Sequence, residues 1–415
     1  MKRILILDTG KEWGGGTNSL FELLKRIDRT RYHFTALFYH NYKKGDKSDI
    51  KAEIEKLGVD FLLLEQNRQA VASKLFKESS RLIFFFSKKL KRHFIFLTDY
   101  HFRIKPNVRN IADILKRLKI NLIYMNNQPS SNLEGIIVAR DAGIQCIQHS
   151  RIAAMLNGFE VDVVNKWLTR MICVSEGVRK SFVEQGINAS ICDVVYNGID
   201  QNTIPATAAS EIRKKWGVGD DEILIGTVGS LIKRKRINDL IDAMARIQSQ
   251  DKNASSPSPC PLPSGERIKV RGMIVGGGPE KANLQKQVLK LDLQDKVIFT
   301  DFQTDAISYI NAMDIFVLPS EKEGLPRVIL EAMLMEKPVV ACDITGSSEL
   351  VVEDRTGFFV PVKKPEIMAD AILKLIASAD LRKKFGQNGR AIVLERFSID
   401  SYISGVSRIF EEVLS

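Results

Sequence analysis

The sequence lacks several features that mark specialised classes of protein. Its 415 residues include no run of roughly 18 consecutive apolar residues, the length that a membrane-spanning helix needs. Its five cysteines are odd in number, lie far apart and form no Cys-x-x-Cys pair, so neither a disulfide framework nor a zinc site is expected. The apolar run Ile4 to Leu7 ends at Asp8, before the core of a secretion signal could form, and it predicts a first β-strand. We therefore expect a protein of the reducing cytoplasm.

The composition is that of a large globular protein with a basic surplus. Hydrophobic residues make up 44% and charged residues 27% of the chain, which excludes long disorder. A length of 415 residues is about twice what one hydrophobic core usually organises, so at least two domains are expected. The formal net charge of +11 indicates an anionic partner, which could be a nucleotide, a membrane surface or a nucleic acid.

Short aliphatic runs alternate with segments of helical periodicity. This alternation predicts an α/β fold in which parallel sheets are covered by helices on both faces. The pattern restarts near Asn197, so we expect one Rossmann-like, doubly wound domain over residues 1–197 and a second over residues 198–397. Their ligand is expected in a cleft where the carboxyl ends of the strands meet. The predicted strands are Ile4 to Leu7, Leu122 to Tyr124, Ile144 to Ile147, Met171 to Val174, Ile223 to Val228, Gly272 to Val275, Val297 to Phe299, Ile315 to Leu318 and Val339 to Ala341.

Two segments interrupt this alternation. Residues 251–272 are rich in proline and serine and predict an exposed insertion without a catalytic role. Residues 66–105 carry ten Lys or Arg against two acidic residues, a net of +8, with eight aromatic residues interleaved. Two interpretations stay open: the segment lies on an anionic membrane surface, or its rings fill the N-terminal core while its cations face water. No nucleic-acid-binding motif accompanies the charge, so a nucleic acid is not an expected partner.

The most informative motif follows the predicted strand Ile315 to Leu318. From Ser320 it reads Ser-Glu-Lys-Glu-Gly-Leu-Pro-Arg-Val-Ile-Leu-Glu-Ala-Met, and the proline predicts that a helix begins near Pro326. The free N–H groups of a helix N-terminus bind phosphate, so a diphosphate is the natural ligand here. The carboxylates of Glu323 and Glu331 would be repelled by it unless they accept hydrogen bonds from hydroxyl groups. The motif therefore indicates a nucleotide linked to a sugar.

Two glutamates separated by seven residues, preceded by serine and followed by Ala-Met, resemble a known signature. It is that of the retaining glycosyltransferases of group 1, family 4 of the carbohydrate-active classification, which have the GT-B fold. The resemblance covers nearly all of the second domain and, more thinly, the first. Further matching segments are residues 337–341, 346–350 and 356–358.

The resemblance implies roles for residues of this motif. Glu323 would contact the transferred sugar, and Glu331 would contact the ribose hydroxyls. Gly324 and Leu325, at the start of the helix, would contact the donor. The resemblance also implies that a C-terminal helix, residues 398–415, packs back on the first domain.

A cationic loop follows the predicted strand Ile223 to Val228. Its four consecutive cations, Lys233, Arg234, Lys235 and Arg236, could neutralise a diphosphate leaving group, which is the main electrostatic task of glycosyl transfer from a nucleotide. Lys235 matches the family's lysine in Gly-Arg-Leu-x-x-x-Lys, but Ser230 stands where the family has an arginine that shares the phosphate. Either Ser230 with Arg234 or Arg236 compensates, or the affinity for the donor is reduced.

Two glycine-rich loops complete the predicted site. Gly276 and Gly278 lie after a predicted strand, where backbone can approach a flat ligand closely. The resemblance places the nucleotide base beside this loop and near residues 299–302. Gly15 and Gly16 resemble the family's N-terminal glycine loop, which touches the donor phosphate and the acceptor.

His149 comes directly after the predicted strand Ile144 to Ile147. A lone histidine at a strand end is more often structural. The resemblance, however, implies that this side chain reaches the donor sugar from the N-terminal domain, although Ser150 replaces the family's usual aspartate. Both interpretations stay open.

The predicted reaction is glycosyl transfer without a metal ion or another cofactor. Transferases of the other major fold hold Mg²⁺ or Mn²⁺ through an Asp-x-Asp pair, and this chain contains none. The charge of the metal must then come from Lys235, its neighbours and the helix start. The resemblance implies transfer with retention, through attack of the acceptor on the face that the leaving group vacates.

The expected partners are a nucleotide-sugar donor and a saccharide or lipid-linked acceptor. Such a reaction belongs to the synthesis of surface polysaccharide, lipopolysaccharide or glycolipid, in the cytoplasm or on the cytoplasmic face of a membrane. Two other classes stay open. One is a sugar-nucleotide epimerase or a phosphorylase of the same fold, and the other is a catalytically weakened protein of polysaccharide assembly.

Overall fold

The computed structural model describes residues 1–44, 48–65, 71–252 and 269–415. The chain forms two compact units. Unit 1 comprises Met1–Tyr196 and Tyr402–Ser415, and unit 2 comprises Asn197–Ser401. The domain boundary predicted between residues 197 and 198 lies one residue from this division. Most of the predicted insertion, residues 253–268, lies outside the described residues, whereas residues 270–272 belong to a strand.

Unit 1 is a parallel sheet with helices on both faces. Its strands are β1 (Lys2–Asp8), β2 (Tyr32–Phe38), β3 (Lys43–Lys44), β4 (Ser48–Asp49), β5 (Asp60–Leu63), β6 (Leu122–Met125), β7 (Gln145–Ser150), β8 (Arg170–Cys173) and β9 (Cys192–Val194). Seven of them pair in parallel in the order β5-β2-β1-β6-β7-β8-β9, and β3 and β4 form a small antiparallel ribbon. The central strands β1 and β6 bury continuous apolar runs, which is what a sheet covered on both faces requires.

The helices of unit 1 alternate with these strands. They are α1 (Gly15–Arg26), α2 (Ile50–Lys56), α3 (Val71–Ile83), α4 (Lys88–Asp99), α5 (Lys105–Leu118), α6 (Leu133–Ala142), α7 (Gly158–Trp167) and α8 (Glu176–Val183). A π-helical turn, Tyr100–Ile104, joins α4 to α5. Short 3₁₀ turns occupy Pro129–Ser131 and Ala189–Ile191.

Unit 2 repeats the same design with a six-stranded parallel sheet. Its strands are β10 (Ile223–Val228), β11 (Val270–Val275), β12 (Val297–Phe299), β13 (Ile315–Leu318), β14 (Val339–Cys342) and β15 (Gly357–Val360). They pair in the order β12-β11-β10-β13-β14-β15. Its helices are α9 (Ala209–Lys215), α10 (Ile237–Lys252), α11 (Lys281–Lys290), α12 (Ala306–Ala312), α13 (Arg327–Leu334), α14 (Pro365–Ile376) and α15 (Ala379–Arg396), with a 3₁₀ turn at Lys233–Lys235.

The last helix, α16 (Ile399–Leu414), returns the chain to unit 1. The ring of Phe410 packs against those of Tyr32 and Tyr124, with centroids 5.7 and 5.2 Å apart. The hydroxyl of Tyr402 donates a hydrogen bond to the carbonyl oxygen of Ser19, 3.2 Å away. The end of the chain is therefore part of the core of unit 1.

All nine predicted strands are present, and the α/β fold class is confirmed. The sequence patterns missed six strands, which are the mixed aromatic run β2 and the short strands β3, β4, β5, β9 and β15. Of these, β5, β9 and β15 lie at the edges of their sheets, where one side of a strand is unpaired. The described cysteines Cys146, Cys173, Cys192 and Cys342 are free and buried.

Helices α3 and α4 form what we call the aromatic hairpin, which contains most of the basic and aromatic segment of residues 66–105. Lys77 of α3 pairs with Asp99 of α4 at 2.6 Å, and the ring of Phe84 stacks on that of Phe94. The side chains of Phe85 and Phe86, between the helices, are 79% and 69% exposed. None of the eight aromatic side chains of the segment is buried.

The interpretation in which these rings fill the N-terminal core is therefore wrong. The rings of Phe96 and Tyr100, both half-buried, instead pack against the ring of Phe159 in α7, with centroids 5.3 and 5.8 Å apart. Residues 66–70 of the segment lie outside the described residues. Among the described helices, none combines the length and apolar character that crossing a membrane requires.

Candidate functional site

The candidate site of unit 2 lies at the carboxyl edge of its sheet. The strand order reverses between β10 and β13, because β11 and β12 extend the sheet on one side of β10 and β13 to β15 on the other. Loops that follow the two strands at such a switch point diverge and leave a crevice, which is where α/β sheets bind ligands. The cationic loop follows β10, and the glutamate motif follows β13.

Lys235 and Glu323 meet at this switch point. The Nζ atom of Lys235 donates a hydrogen bond to Oε1 of Glu323 at 2.6 Å. The two side chains are only 14% and 10% exposed, so the pair is shielded from solvent more than a surface ion pair is. The lysine stem lies against the backbone of Gly229, since a Cβ atom there would be in van der Waals contact with it, 3.7 Å from Cε of Lys235.

Arg234 reinforces this contact from the same turn. Its Nη1 atom donates to the carbonyl oxygen of Lys322 at 2.7 Å and lies 3.4 Å from Oε2 of Glu323. Its own carbonyl accepts a hydrogen bond from the backbone N–H of Glu321. The cationic loop and the glutamate motif are thus joined by backbone and side-chain contacts, as the sequence motifs alone could not show.

Arg236 does not join this group. It adopts a left-handed backbone conformation with φ of 49°, and its guanidinium pairs with the carboxylate of Asp239 in the first turn of α10. Of the two arginines that could accompany Ser230, Arg234 therefore contacts Glu323 and Arg236 contacts Asp239. Ser230 itself lies in the loop, where its carbonyl accepts a hydrogen bond from the backbone N–H of Ile232.

The environment of Glu323 keeps its carboxylate ionised. Burial raises the pKa of this carboxyl group, but the charges of Lys235 and Arg234 and the hydrogen bond from Lys235 outweigh burial, so the net pKa is below the ordinary value. A buried carboxylate that stays ionised at neutral pH can accept hydrogen bonds from sugar hydroxyls.

Helix α13 begins where the motif predicted. Pro326 is its N-cap residue, and Arg327 is the first helical residue. No side chain caps this end, and no acidic residue lies in the first turn. The loop before it is fixed by Asn197, whose Nδ2 donates to the carbonyl oxygen of Leu325 at 3.1 Å, and by a close approach of Gly346, where a Cβ atom would lie 1.9 Å from the carbonyl oxygen of Gly324.

Glu331 lies one turn inside α13 and faces Arg327. Its Oε1 atom is 3.8 Å from Nε of Arg327, and both side chains are largely buried. Arg327 also donates to the carbonyl oxygen of Gly198 at 3.0 Å. Glu331 therefore lies on the helix that follows Glu323, but its carboxylate is paired with Arg327 and not with Lys235 or Arg234.

The loop at Gly276 to Gly278 packs against the cationic loop. Both glycines have positive φ values, 144° and 157°, and a Cβ atom at Gly276 would lie 1.9 Å from the carbonyl oxygen of Gly229. The backbone N–H of Leu231 donates to the carbonyl oxygen of Gly277 at 2.9 Å. Phe302, partly exposed, lies 4.0 Å from the position of a Cβ atom at Gly277. Only glycine permits this close contact between backbones, so the loop requires Gly276 and Gly278.

In unit 1 the predicted glycines also follow a strand next to a switch point, this one between β1 and β6. Gly15 and Gly16 open α1, whose N-cap, Gly14, has no capping side chain. A Cβ atom at Gly16 would lie 3.1 Å from Cγ of Arg151, so the arginine stem covers this turn. The sequence patterns gave no signal for Arg151.

Arg151 belongs to a buried polar network at the carboxyl edge of unit 1. Its Nε and Nη2 atoms donate to Oδ1 of Asn126 at 2.8 and 2.7 Å, and Nη2 also donates to the hydroxyl of Tyr402 at 3.2 Å. Asn126 donates in turn to Asp8 at 2.7 Å. Burial raises the pKa of Asp8, although these hydrogen bonds and Arg151 oppose the rise. The network joins three strand ends to α16.

His149 lies inside this network and has no exposed surface. Its Nδ1 atom is 2.5 Å from the hydroxyl of Tyr124, and its ring lies beside that of Tyr402. Burial, and then the charge of Arg151, lower its pKa well below the ordinary value, so the ring is neutral. The predicted direct contact with a sugar does not fit this position, because His149 lies within β7 and its side chain is covered by α16.

The sequence patterns missed the residues that hold the predicted ones in place. Arg327 could have been found from its spacing of four from Glu331 on a helix. Asn197 lies in a turn that was noted only as a boundary, and Asn126 and Tyr402 carry no local signal. Apart from Arg327, these residues act through contacts between distant parts of the sequence, so no local pattern marks them.

Comparison with known proteins agrees with the geometry. The family "Glycosyl transferases group 1" matches residues 209–392, which lie in unit 2. The N-acetyl-alpha-D-glucosaminyl L-malate synthase of Bacillus anthracis is 23% identical over 317 residues, covering 73% of this chain and 78% of that protein. The UDP-Gal:alpha-D-GlcNAc-diphosphoundecaprenol alpha-1,3-galactosyltransferase of Escherichia coli is 22% identical and covers 87% of this chain and 94% of its own. Other curated relatives align over about half of their own length.

The fold has close counterparts among solved structures. HepE of Anabaena, solved in complex with UDP-glucose, superposes with a TM-score of 0.75 at 22% identity, covering 99% of this chain and 100% of that one. This likeness confirms the expected GT-B fold.

Proposed function

We propose, on the premise that this chain is a glycosyltransferase of group 1, that it transfers a sugar from a nucleoside diphosphate sugar to a hydroxyl group with retention at the anomeric carbon. The observation that carries the proposal is the contact of Lys235 and Arg234 with Glu323 at the switch point of unit 2. Two cations and one carboxylate with little exposure are a combination suited to a ligand that carries both phosphate and hydroxyl groups.

The donor diphosphate is proposed to bind between the cationic loop and the start of α13. Lys235 and Arg234 supply positive charge from one strand end, and the uncapped N–H groups beyond Pro326 supply it from the next. Glu331 is proposed to accept hydrogen bonds from the ribose hydroxyls. The base is proposed to lie beside Phe302 and the loop at Gly276 to Gly278, and uridine is the first candidate because HepE binds UDP-glucose.

Glu323 is proposed to hold the transferred sugar rather than to attack it. Its carboxylate is engaged by two cations, which lower its nucleophilicity and fix its direction. The leaving diphosphate would take up the acceptor proton on the same face, which gives retention. Lys235 and Arg234 would stabilise the charge that develops on the diphosphate, the role that a metal ion has in other transferases, so we propose transfer without a metal or another cofactor.

The acceptor is proposed to be a saccharide, free or linked to a lipid, in the synthesis of a surface polysaccharide, a lipopolysaccharide or a glycolipid. The E. coli relative acts on a sugar linked to diphosphoundecaprenol, which supports the lipid-linked form. We also propose that the aromatic hairpin binds an anionic membrane surface on the cytoplasmic side. The exposed side chains of Leu82, Phe85 and Phe86 cluster where α3 ends and α4 begins, within a segment whose net charge is +8.

The membrane proposal is tested with vesicles. Co-sedimentation is measured with vesicles of phosphatidylglycerol and phosphatidylcholine, and with phosphatidylcholine alone. We expect binding only to the anionic vesicles. In the double variant Phe85→Ser/Phe86→Ser the affinity for these vesicles should fall at least about tenfold, because burying two aromatic rings in the membrane contributes several kcal/mol. Leu289→Ser, which removes an exposed apolar side chain of unit 2, is the control. Equal binding of the hairpin variant and the control would refute the proposal.

The transfer itself is tested by incubating the protein with nucleotide-sugars, with and without an acceptor extract. A new glycoside that forms only with both substrates supports the proposal, and analysis of its anomeric configuration tests retention. An isomer of the donor sugar in the absence of acceptor would instead support an epimerase. Nucleotide binding with no product from any acceptor would support a weakened protein of polysaccharide assembly.

A further inference from the structure

Unit 2 contains a cavity at the opposite edge of its sheet from the candidate donor site. Its volume is about 540 Å³, within the range of small-ligand sites. Asn311, at the end of α12, precedes β13, and Lys337 precedes β14, so the cavity lies at the amino edge, whereas Lys235 and Glu323 follow the carboxyl ends of strands. We call it the lysine cavity. Its lining residues are Gln201 to Pro205, Asn311, Met335, Glu336, Lys337, Lys383 and Arg390.

The charges that line the lysine cavity are mainly positive. Lys337, Lys383 and Arg390 face one carboxylate, that of Glu336. Glu336 is 3.8 Å from Nε of Arg390, so these two charges balance each other. Arg390 is further engaged by the carbonyl oxygen of Leu334, to which Nη1 donates at 2.8 Å. Two lysines therefore remain to interact with a ligand.

Lys337 is the more informative of the two lysines because it is largely buried. Burial lowers its pKa, while Asp314 and Glu336 oppose the decrease. Asp314 itself is held by Arg213 at 3.1 Å and by the backbone N–H of Leu224 at 2.7 Å. A buried ammonium group with only such distant or shared countercharges is costly, and a bound anion would offset that cost.

The chemistry of the free cations selects the anion. Carboxylates are recognised best by arginine, whose planar group offers two parallel donors, but the one arginine of this lining is already engaged. Lysine binds phosphate as a point charge. Asn202 and Asn311, whose side-chain amides are neutral donors, belong to the same lining. We propose that the lysine cavity binds the phosphate group of a small molecule, at a site separate from that of the donor.

The position of the cavity gives such a ligand a defined set of contacts. Its lining joins the segment Gln201 to Pro205, near the start of unit 2, to helix α15, near its end. The side chain of Gln201 already links these segments, since its Nε2 donates to the carbonyl oxygen of Leu394 at 2.7 Å. A ligand between them would stabilise unit 2 against unfolding by mass action.

The proposal is tested by thermal unfolding in the presence of inorganic phosphate, with acetate at equal ionic strength as the comparison. The wild-type protein and the variants Lys235→Met, Lys337→Met and Lys383→Met are compared. We expect phosphate to raise the Tm of the wild type and of Lys235→Met. We expect the Tm increase to be lost in Lys337→Met and reduced in Lys383→Met, whose exposed side chain is not needed for folding.

Several results would overturn the proposal. The first is no increase in the Tm of the wild type with phosphate, and the second is an equal increase in Tm with acetate. The third is a Tm increase with phosphate that is lost in Lys235→Met and kept in both cavity variants. The last result would assign all phosphate binding to the donor site. UDP is titrated in parallel, and an unchanged response of Lys383→Met to UDP shows that the donor site is intact, so a failure of the cavity and a failure of the donor proposal are distinguishable.

Discussion

The carboxyl edges of the two sheets have the same architecture but differ in how exposed their charged side chains are. In unit 2, Lys235, Arg234 and Glu323 come from two strand ends and meet with some of their surface exposed. In unit 1, Arg151 and His149 occupy the equivalent edge, but they are covered by α1 and α16 and are engaged within the unit. The same doubly wound design thus yields a binding edge in one unit and a structural network in the other. The loops and the returning helix, not the sheet, determine the difference.

The comparison predicts that charge changes in unit 2 affect activity most. Glu323→Gln keeps the volume of the side chain but removes the charge that Lys235 and Arg234 orient. We expect transfer to fall on the order of 100-fold or more, because positioning and electrostatic terms of this kind have that magnitude. Steady-state kinetics with the identified donor and acceptor measures the effect. Glu321→Gln, two residues away and exposed, is the matched control and is expected to leave kcat and KM unchanged.

Lys235→Met tests the electrostatic side of the same pair. The pKa of Glu323 lies below its ordinary value of 4.5, so the pair stabilises the fold fully above pH 4.5 and this contribution is lost as pH falls through the lowered pKa. Without Lys235, burial dominates and the pKa of Glu323 rises. We expect the acid limb of the kcat/KM profile to move to higher pH. A profile with unchanged limbs would show that Lys235 does not control this carboxylate.

Ser230→Arg should strengthen the binding edge of unit 2. The loop at this position lies beside Lys235, and an added guanidinium would supply a charge-assisted hydrogen bond to phosphate, worth about 1.5 kcal/mol or more. That corresponds to roughly tenfold tighter binding of a nucleoside diphosphate. Calorimetric titration measures it. Weaker binding than in the wild type would mean that the serine is itself fitted to the ligand.

Tyr402→Phe probes the structural network of unit 1 with a smaller effect. The change removes the hydroxyl that links Ser19 and Arg151, and we expect a loss of about 1 kcal/mol in the free energy of unfolding. Denaturant unfolding measures the loss, and the affinity for nucleoside diphosphates should stay the same. If stability is unchanged but transfer is lost, the network serves the reaction and the contrast between the two units is not valid.

The sequence predicted the fold through features that act locally. Buried parallel strands such as Ile4 to Leu7 are continuous apolar runs, and Pro326 marks a helix start, so both could be read from a few neighbouring residues. The edge strand β5 has a weaker pattern because its residues are exposed or only half-buried.

The sequence singled out residues of the candidate site in unit 2, but it did not predict the contacts between them. Glu323 and Lys235 were singled out from motifs, yet their ion pair depends on the packing of two loops 88 residues apart. The role implied for His149 did not anticipate burial, because α16, which covers it, comes from the far end of the chain. Such pairs are set by tertiary structure, which local patterns do not encode.

The central claim is that Lys235 and Glu323 form the part of unit 2 that binds the donor. Calorimetric titration of UDP and the other nucleoside diphosphates into the wild type, Lys235→Met and Glu321→Gln tests it most directly. We predict one bound nucleotide in the wild type and in Glu321→Gln, and an affinity at least about tenfold lower in Lys235→Met, in line with the loss of one charge-assisted contact. Equal affinity in all three proteins, or no binding of any nucleotide to the wild type, would contradict the claim.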